Sequence, residues 1–222
     1  MKLISYKQNG NIKLGAFEEG KIYDLHALDG HIADNMLEFL QGGEEQLQLA
    51  MAAMEDGSPT ISAEDVELIS PVPNPPSVRD AYAFRQHVAT ARRNRGLEMI
   101  PEFDEIPIFY FTNHHAVFGE GYFPVLSRHT EKLDFELECA AVIGKGGRNI
   151  STSDADDYIA GFMIMNDLSA RVLQMQEMKL NLGPAKGKDF GSTFGPWLVT
   201  KDELESCKQS SVDGDRYNLK MK

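Results

Sequence analysis

The stretch Asp134-Phe135-Glu136-Leu137-Glu138, running directly into Cys139-Ala140-Ala141-Val142-Ile143, reads as one strand with two unlike faces. Side chains alternate along an extended chain, so Asp134, Glu136 and Glu138 project to one side and Phe135 and Leu137 to the other. At roughly 3.3 Å per residue, the Cα atoms of Glu136 and Glu138 lie about 7 Å apart. That separation lets both carboxylates grip one hard cation at about 2.0–2.6 Å. A solvated acidic face is the simpler alternative. Against it, the apolar residues that follow carry the strand into a core, where clustered, uncompensated carboxylates are costly. Cys139, inside that run, is expected to be a free buried thiol.

Three further segments carry polar residues that chemistry could use. An apolar strand over 159–165 leads to Asp167, and a helix is predicted from Leu168 to Met178. Asp167, Arg171 and Gln174 then fall at i, i+4 and i+7, on one face. A cap with a salt bridge explains the first two. A carboxylate at a strand end, with a guanidinium and an amide beside it, is also what an anionic-substrate site over a metal requires. In Gly183-Pro184-Ala185-Lys186-Gly187-Lys188-Asp189-Phe190-Gly191, glycines permit close backbone approach and one of the two lysines can project into a site. Finally, a helix predicted over 78–95 places Asp80 and His87, seven residues apart, on one face. A lone His is usually structural; beside the other clusters, His87 becomes a candidate base.

Upstream, residues 1–70 read as a small α/β module with a structural role. Leu3 to Tyr6 and Ile12 to Leu14 flank Asn9-Gly10, a strong hairpin signal. A third strand is predicted from Lys21 to Leu25, and two short helices are separated by Gly42-Gly43. Four prolines between Ser70 and Ser77 mark an extended run taken as the domain boundary, so that 71–222 forms the second domain. The 222 residues carry a net charge of −12, which disfavours a nucleic-acid partner. With 42% hydrophobic and 25% charged residues, the composition is that of a globular protein. No apolar stretch approaches the roughly 20 residues of a membrane span, and the first residues lack a signal-peptide core. Two cysteines build no disulfide framework. A cytoplasmic protein without membrane partners is expected.

Taken in order, Asp-x-Glu-x-Glu at 134–138, Met-Asn-Asp-x-Ser-Ala-Arg-x-x-Gln at 165–174 and Gly-Pro-x-x-Gly-Lys-x-Phe-Gly-x-Thr at 183–193 resemble the core signature of the fumarylacetoacetate hydrolase family. The segment from Asp80 to His87 strengthens the likeness. The resemblance implies an α+β, mainly β fold: a mixed β-roll of that family's C-terminal-domain type behind the small N-terminal α/β module. It implies that Asp80, Glu136, Glu138 and Asp167 ligate Mg²⁺ or Ca²⁺, with Mn²⁺ a further option; all-oxygen ligation suits such hard cations. By the same carry-over, His87 activates water, Arg171, Gln174 and Lys188 stabilise a developing oxyanion, and Tyr82 and Tyr110 contact substrate.

The implied activity is a metal-dependent hydrolase of ketonic substances, cleaving a C–C bond of a 2,4-dioxo acid such as fumarylacetoacetate or an acylpyruvate, as in aromatic amino acid catabolism. The alternatives are a decarboxylase, hydratase or isomerase of a related 2-oxo acid, or a non-catalytic truncated homologue. A homodimer is implied in the same way. Leu168 stands where the motif often has Trp, and Met178 where fumarylacetoacetate-cleaving members place Tyr. Residues 217–221 read like the opening of a strand, and the family's domain normally continues further. Its C-terminal part is therefore expected to be missing.

Overall fold

The computed structural model describes residues 1–212 and 214–220. β1 (Lys2–Gln8) and β2 (Asn11–Glu18) form the hairpin that Asn9-Gly10 announces. Both turn residues take positive φ, at 52° and 81°, which Asn and Gly tolerate best. β3 (Lys21–Asp24) adds to β2, and Asp24 accepts from the Ala27 N–H to start α1 (Leu25–Leu28). Asn35 caps α2 (Met36–Gln41) in the same way, and α3 (Gly43–Asp56) follows at once. β4 (Ile61–Ser62) and β5 (Glu67–Ile69) return to the sheet beside β3 and β1.

Past the prolines come β6 (Val78–Asp80), α4 (Arg85–Arg93), α5 (Glu102–Glu105), β7 (Tyr110–Thr112) and β8 (Val117–Phe118). α6 (Ser127–Thr130), β9 (Leu133–Asp134), β10 (Leu137–Ile143) and β11 (Ile159–Asn166) lead to β12 (Ser169–Ala170) and α7 (Arg171–Glu177). The described chain closes with α8 (Ala185–Lys188), β13 (Ser192–Phe194), β14 (Leu198–Thr200), β15 (Lys208–Ser211) and β16 (Gly214–Tyr217).

The result is an α+β fold around a curled mixed sheet of ten strands, ordered β4-β3-β2-β1-β14-β11-β13-β8, with β10 on β11 and β5 on β1. The sheet runs across the proline-rich segment: β1 pairs with β14, Lys2 facing Val199 and Leu3 facing Leu198. The segment itself is packed rather than free. Ser70 and Pro71 are buried, the Pro71 carbonyl accepts from Ser5 Oγ at 2.7 Å, and Val72 joins the main core with Leu3, Leu14, Leu25, Phe39, Val142 and Leu198. Burial of these side chains, worth about 1.5–3 kcal/mol for each large one, ties the N-terminal strands to those of the site. Among the described residues no helix is long and apolar enough to cross a membrane.

Several expectations are corrected. Residues 78–80 are not helical: they pair with β7, Asp80 facing Tyr110, and the helix begins only at Arg85. A ladder partner 30 residues away outweighs the local helical pattern. Asp80 and His87 therefore do not share a helix face. Likewise α7 begins at Arg171, because Ser169 and Ala170 pair with Asp134 and Leu133. Cys139 is free but exposed, since the face of β10 bearing Leu137, Cys139 and Ile143 lies uncovered. Residues 218–220 do not continue the strand that ends at Tyr217; Met221, the last residue of that expected strand, lies outside the described residues.

Candidate metal centre

Three segments converge at the carboxyl end of β11. Asp80 ends β6, Glu138 lies on β10 opposite Met165, and Asp167 follows β11 directly. One carboxylate oxygen from each of Asp80, Glu138 and Asp167 lies within 4.8 Å of the others. Asp167 is fully buried. Its Oδ2 accepts from the Tyr110 hydroxyl at 2.9 Å and from Lys188 Nζ, while its Oδ1 has no hydrogen-bond partner among the described residues. Tyr110 also faces Asp80 Oδ2 at 2.8 Å. One hydroxyl proton thus serves two carboxylates, which leaves the pair short of donors.

Glu136 stands beside this triad rather than in it. Its Oε1 meets Arg171 Nη1 at 2.6 Å and its Oε2 meets Lys188 Nζ at 3.1 Å. The backbone around it is pinned to the strand end: Asn166 Oδ1 accepts from the Glu136 N–H at 3.2 Å, and the Glu136 carbonyl accepts from the Asp167 N–H at 3.1 Å. Arg171 also reaches Asp134 at 2.9 Å and donates to Gln174 Oε1 at 3.1 Å. Of the two candidate lysines, Lys188 points inward and is 3% exposed. Lys186 is exposed.

Among the described residues, neither Tyr82 nor His87 bonds these carboxylates. Tyr82 is exposed and stacks on Phe103, with ring centroids 6.1 Å apart. His87 is exposed on α4. Tyr110, expected to touch substrate, has its hydroxyl on the carboxylates instead. Ser169, which the motif contains but which carried no assigned role, is buried and donates to the Asp167 carbonyl at 3.1 Å.

Electrostatics follow from this crowding. Burial pushes the Glu138 carboxyl up to about 8, with Asp80, Asp167 and Glu136 adding to the rise. Burial also lifts Asp167 to about 6, although Lys188 and Tyr110 pull the other way. For Glu136, burial is outweighed by Lys188 and Arg171, which hold it below the usual carboxylate range. Tyr110 is pushed far up by burial and by the charges of Asp167 and Asp80, so it remains a proton carrier. All-oxygen donors, a buried Oδ1 without a partner and carboxyls that resist ionising together fit a hard divalent cation, which would displace their protons.

A pH dependence follows. A carboxyl whose folded pKa is raised contributes stability below its ordinary pKa, and that contribution is lost as pH rises through the folded value. Without divalent metal, the melting temperature is therefore expected to fall by roughly 5 °C as pH climbs through about 6 and about 8. Carboxylates held low, such as Asp24, titrate below this window. Mn²⁺ should restore most of the loss. Melting curves across that range check it, and a flat profile without metal would contradict the raised carboxyls.

The match to known proteins falls on this site. The family model described as fumarylacetoacetate (FAA) hydrolase C-terminal covers residues 77–220, which contain Asp80, Glu136, Glu138 and Asp167. The chain belongs to the fumarylacetoacetate hydrolase family. Among its relatives, the oxaloacetate tautomerase fahd2, mitochondrial, of Xenopus laevis is 29% identical over 92% of this chain and 63% of its own length. This member thus spans about three fifths of the length of that relative. A fumarylacetoacetase of Arabidopsis thaliana is 52% identical, over 38% of this chain and 21% of its own. A maleylpyruvate hydrolase from Sphingobium sp. SYK-6, solved with manganese(II) and pyruvate, shares the fold with a TM-score of 0.67. It is 21% identical and covers 98% of this chain and 77% of its own.

Proposed function

We propose that this family member is a divalent-metal enzyme acting on a 2-oxo acid, and that its reaction is keto–enol interconversion of a small 2-oxo dicarboxylate of the oxaloacetate type. The observation that carries this reading is the triad Asp80, Glu138 and Asp167, with Asp167 fully buried and Lys188 and Tyr110 on its rim. Asp80, Glu138 and Asp167 would hold the cation, with Glu136 a fourth oxygen donor beside them, and Mn²⁺, Mg²⁺ and Ca²⁺ all suit the donor set. When bound, such a cation supplies a Lewis acid that polarises the carbonyl of a 2-oxo acid.

The chain's own residues supply the rest. Arg171, steadied by Gln174, offers a planar guanidinium to a substrate carboxylate. Lys188 Nζ and the Tyr110 hydroxyl are the candidate proton-bearing groups; burial and the charges of Asp167 and Asp80 keep the Tyr110 hydroxyl protonated at neutral pH. Tautomerisation moves one proton from carbon to oxygen and needs no activated water. That economy suits a site whose own contacts include no imidazole: His87 makes no side-chain hydrogen bond among the described residues. The Xenopus relative's name supports the same reading.

C–C hydrolysis of an acylpyruvate is the second reading, favoured by the 52% identical stretch shared with the Arabidopsis fumarylacetoacetase. It requires His87 to reach the site and activate water. Ultraviolet absorbance of enol-oxaloacetate separates the two. With Mn²⁺ the protein is expected to speed ketonisation at least about tenfold over the buffer blank, and a chelator should abolish the effect. Pyruvate released from an acylpyruvate, without faster ketonisation, would replace the first reading with the second. Neither activity with Mn²⁺ present would overturn the catalytic assignment.

A further inference from the structure

Glu177 is a buried acid, 8% exposed, for which the site chemistry described so far has no use. It ends α7, the helix that carries Arg171 and Gln174. Among the described residues no cationic side chain pairs with it. Its charge is met by backbone alone: Oε2 accepts from the Lys186 N–H at 2.7 Å and Oε1 from the Gly187 N–H at 2.9 Å. These are donors in the first turn of α8, which have no partner within that helix. A carboxylate accepting two such bonds is among the stronger neutral-donor arrangements a protein makes.

That turn ends at Lys188. We propose that Glu177 is the positioning residue of the site: its carboxylate fixes the Ala185–Lys188 turn against α7 and so delivers Lys188 Nζ to Asp167 and Glu136, without touching substrate itself. Packing supports the same clamp. A Cβ on Gly187 would meet Gln174 Cβ at 2.7 Å and its Cα and N at 2.9 Å, so the turn lies directly on the helix at the residue that steadies Arg171. Gly183, at the entry to the turn, sits as close to Glu177: a Cβ there would meet its Cγ at 3.0 Å. α7 thus sets both cations of the site, Arg171 from its first residue and Lys188 through Glu177.

The catalytic consequence rests on the proposed use of Lys188, but the placement is testable without activity. Acetylation of amines, followed by peptide mass spectrometry, reads the accessibility of each lysine. In Glu177→Gln, which keeps one acceptor and turns an amide donor toward the other N–H, Lys188 is expected to label at least about fivefold faster, with the other lysines unchanged. Gly187→Ala, which pushes the turn off α7 with Glu177 intact, should give the same selective rise. If ketonisation is detected, kcat should fall about ten- to hundredfold in Glu177→Gln with KM nearly constant. Unchanged Lys188 labelling in both variants overturns the proposal. So does a uniform rise across all lysines, which would make Glu177 merely structural. A protein that shows selective Lys188 labelling but no ketonisation keeps the positioning role and loses only the functional reading.

Discussion

Asp167→Asn is expected to abolish tight divalent-metal binding and with it turnover, while leaving the fold in place. Asp167 is the one fully buried carboxylate of the triad, and it is where the Tyr110 hydroxyl and the Lys188 ammonium meet. Asparagine keeps the volume, so the strand end and β12 need not move. What it removes is a charge that, with Glu136, balances Lys188, and a carboxylate whose Oδ1 is buried and without a partner among the described residues. Losing a residue that merely orients a metal's ligand typically costs about 10–100-fold; loss of a charged ligand should cost at least about hundredfold in Mn²⁺ affinity and at least about thousandfold in kcat. Calorimetric titration with Mn²⁺, paired with a melting curve to exclude unfolding, measures this. Undiminished binding in a folded variant would remove Asp167 from the metal centre.

Lys188→Met should move metal affinity and turnover in opposite directions. The ammonium sits against Asp167 Oδ2 and Glu136 Oε2. It therefore competes with any cation for those oxygens, and replacing it with an apolar side chain of similar length relieves that competition. Mn²⁺ is expected to bind several-fold tighter. Turnover should nevertheless fall by about 10²–10³, because the group that meets developing negative charge and carries a proton is gone. A variant that lost both affinity and activity would mark Lys188 as a structural counter-ion. This divergence also distinguishes it from Asp167→Asn, where both quantities drop.

Much of the site could be read before the fold was seen, because its chemistry is written in residue types at short range. Glu138 and Asp167 were legible from a strand's alternation and from an apolar run ending in an acid. The hairpin at Asn9-Gly10 and the break at Gly42-Gly43 were legible from residues that accept positive φ. What escaped was set by distant partners. Asp80 looked helical because its spacing to His87 fits two turns, yet its neighbour in the ladder is Tyr110. Spacing alone did not separate Lys186 from Lys188, and only the family resemblance pointed to Lys188, since the choice depends on how α8 lies on α7. Glu177 was invisible for a further reason: its partners are backbone N–H groups, which leave no mark in a sequence. Cys139 was expected inside because its run is apolar, but whether a sheet face is covered depends on what packs over it.

The pairing of β1 with β14 has a consequence for how the chain comes off the ribosome. Thr200 donates to the Met1 carbonyl from 199 positions away. At about 5–20 residues per second, the first strand is made some 10–40 s before its partner exists. β5 covers Ser5 to Lys7 early, but Lys2 and Leu3 wait for β14. Until β14 has been made, the nascent chain therefore carries an open strand end next to an unfinished core. An unpaired strand edge is a template for pairing with other chains, so the slower the synthesis, the longer that edge stays open to wrong partners, well before any substrate or metal is met.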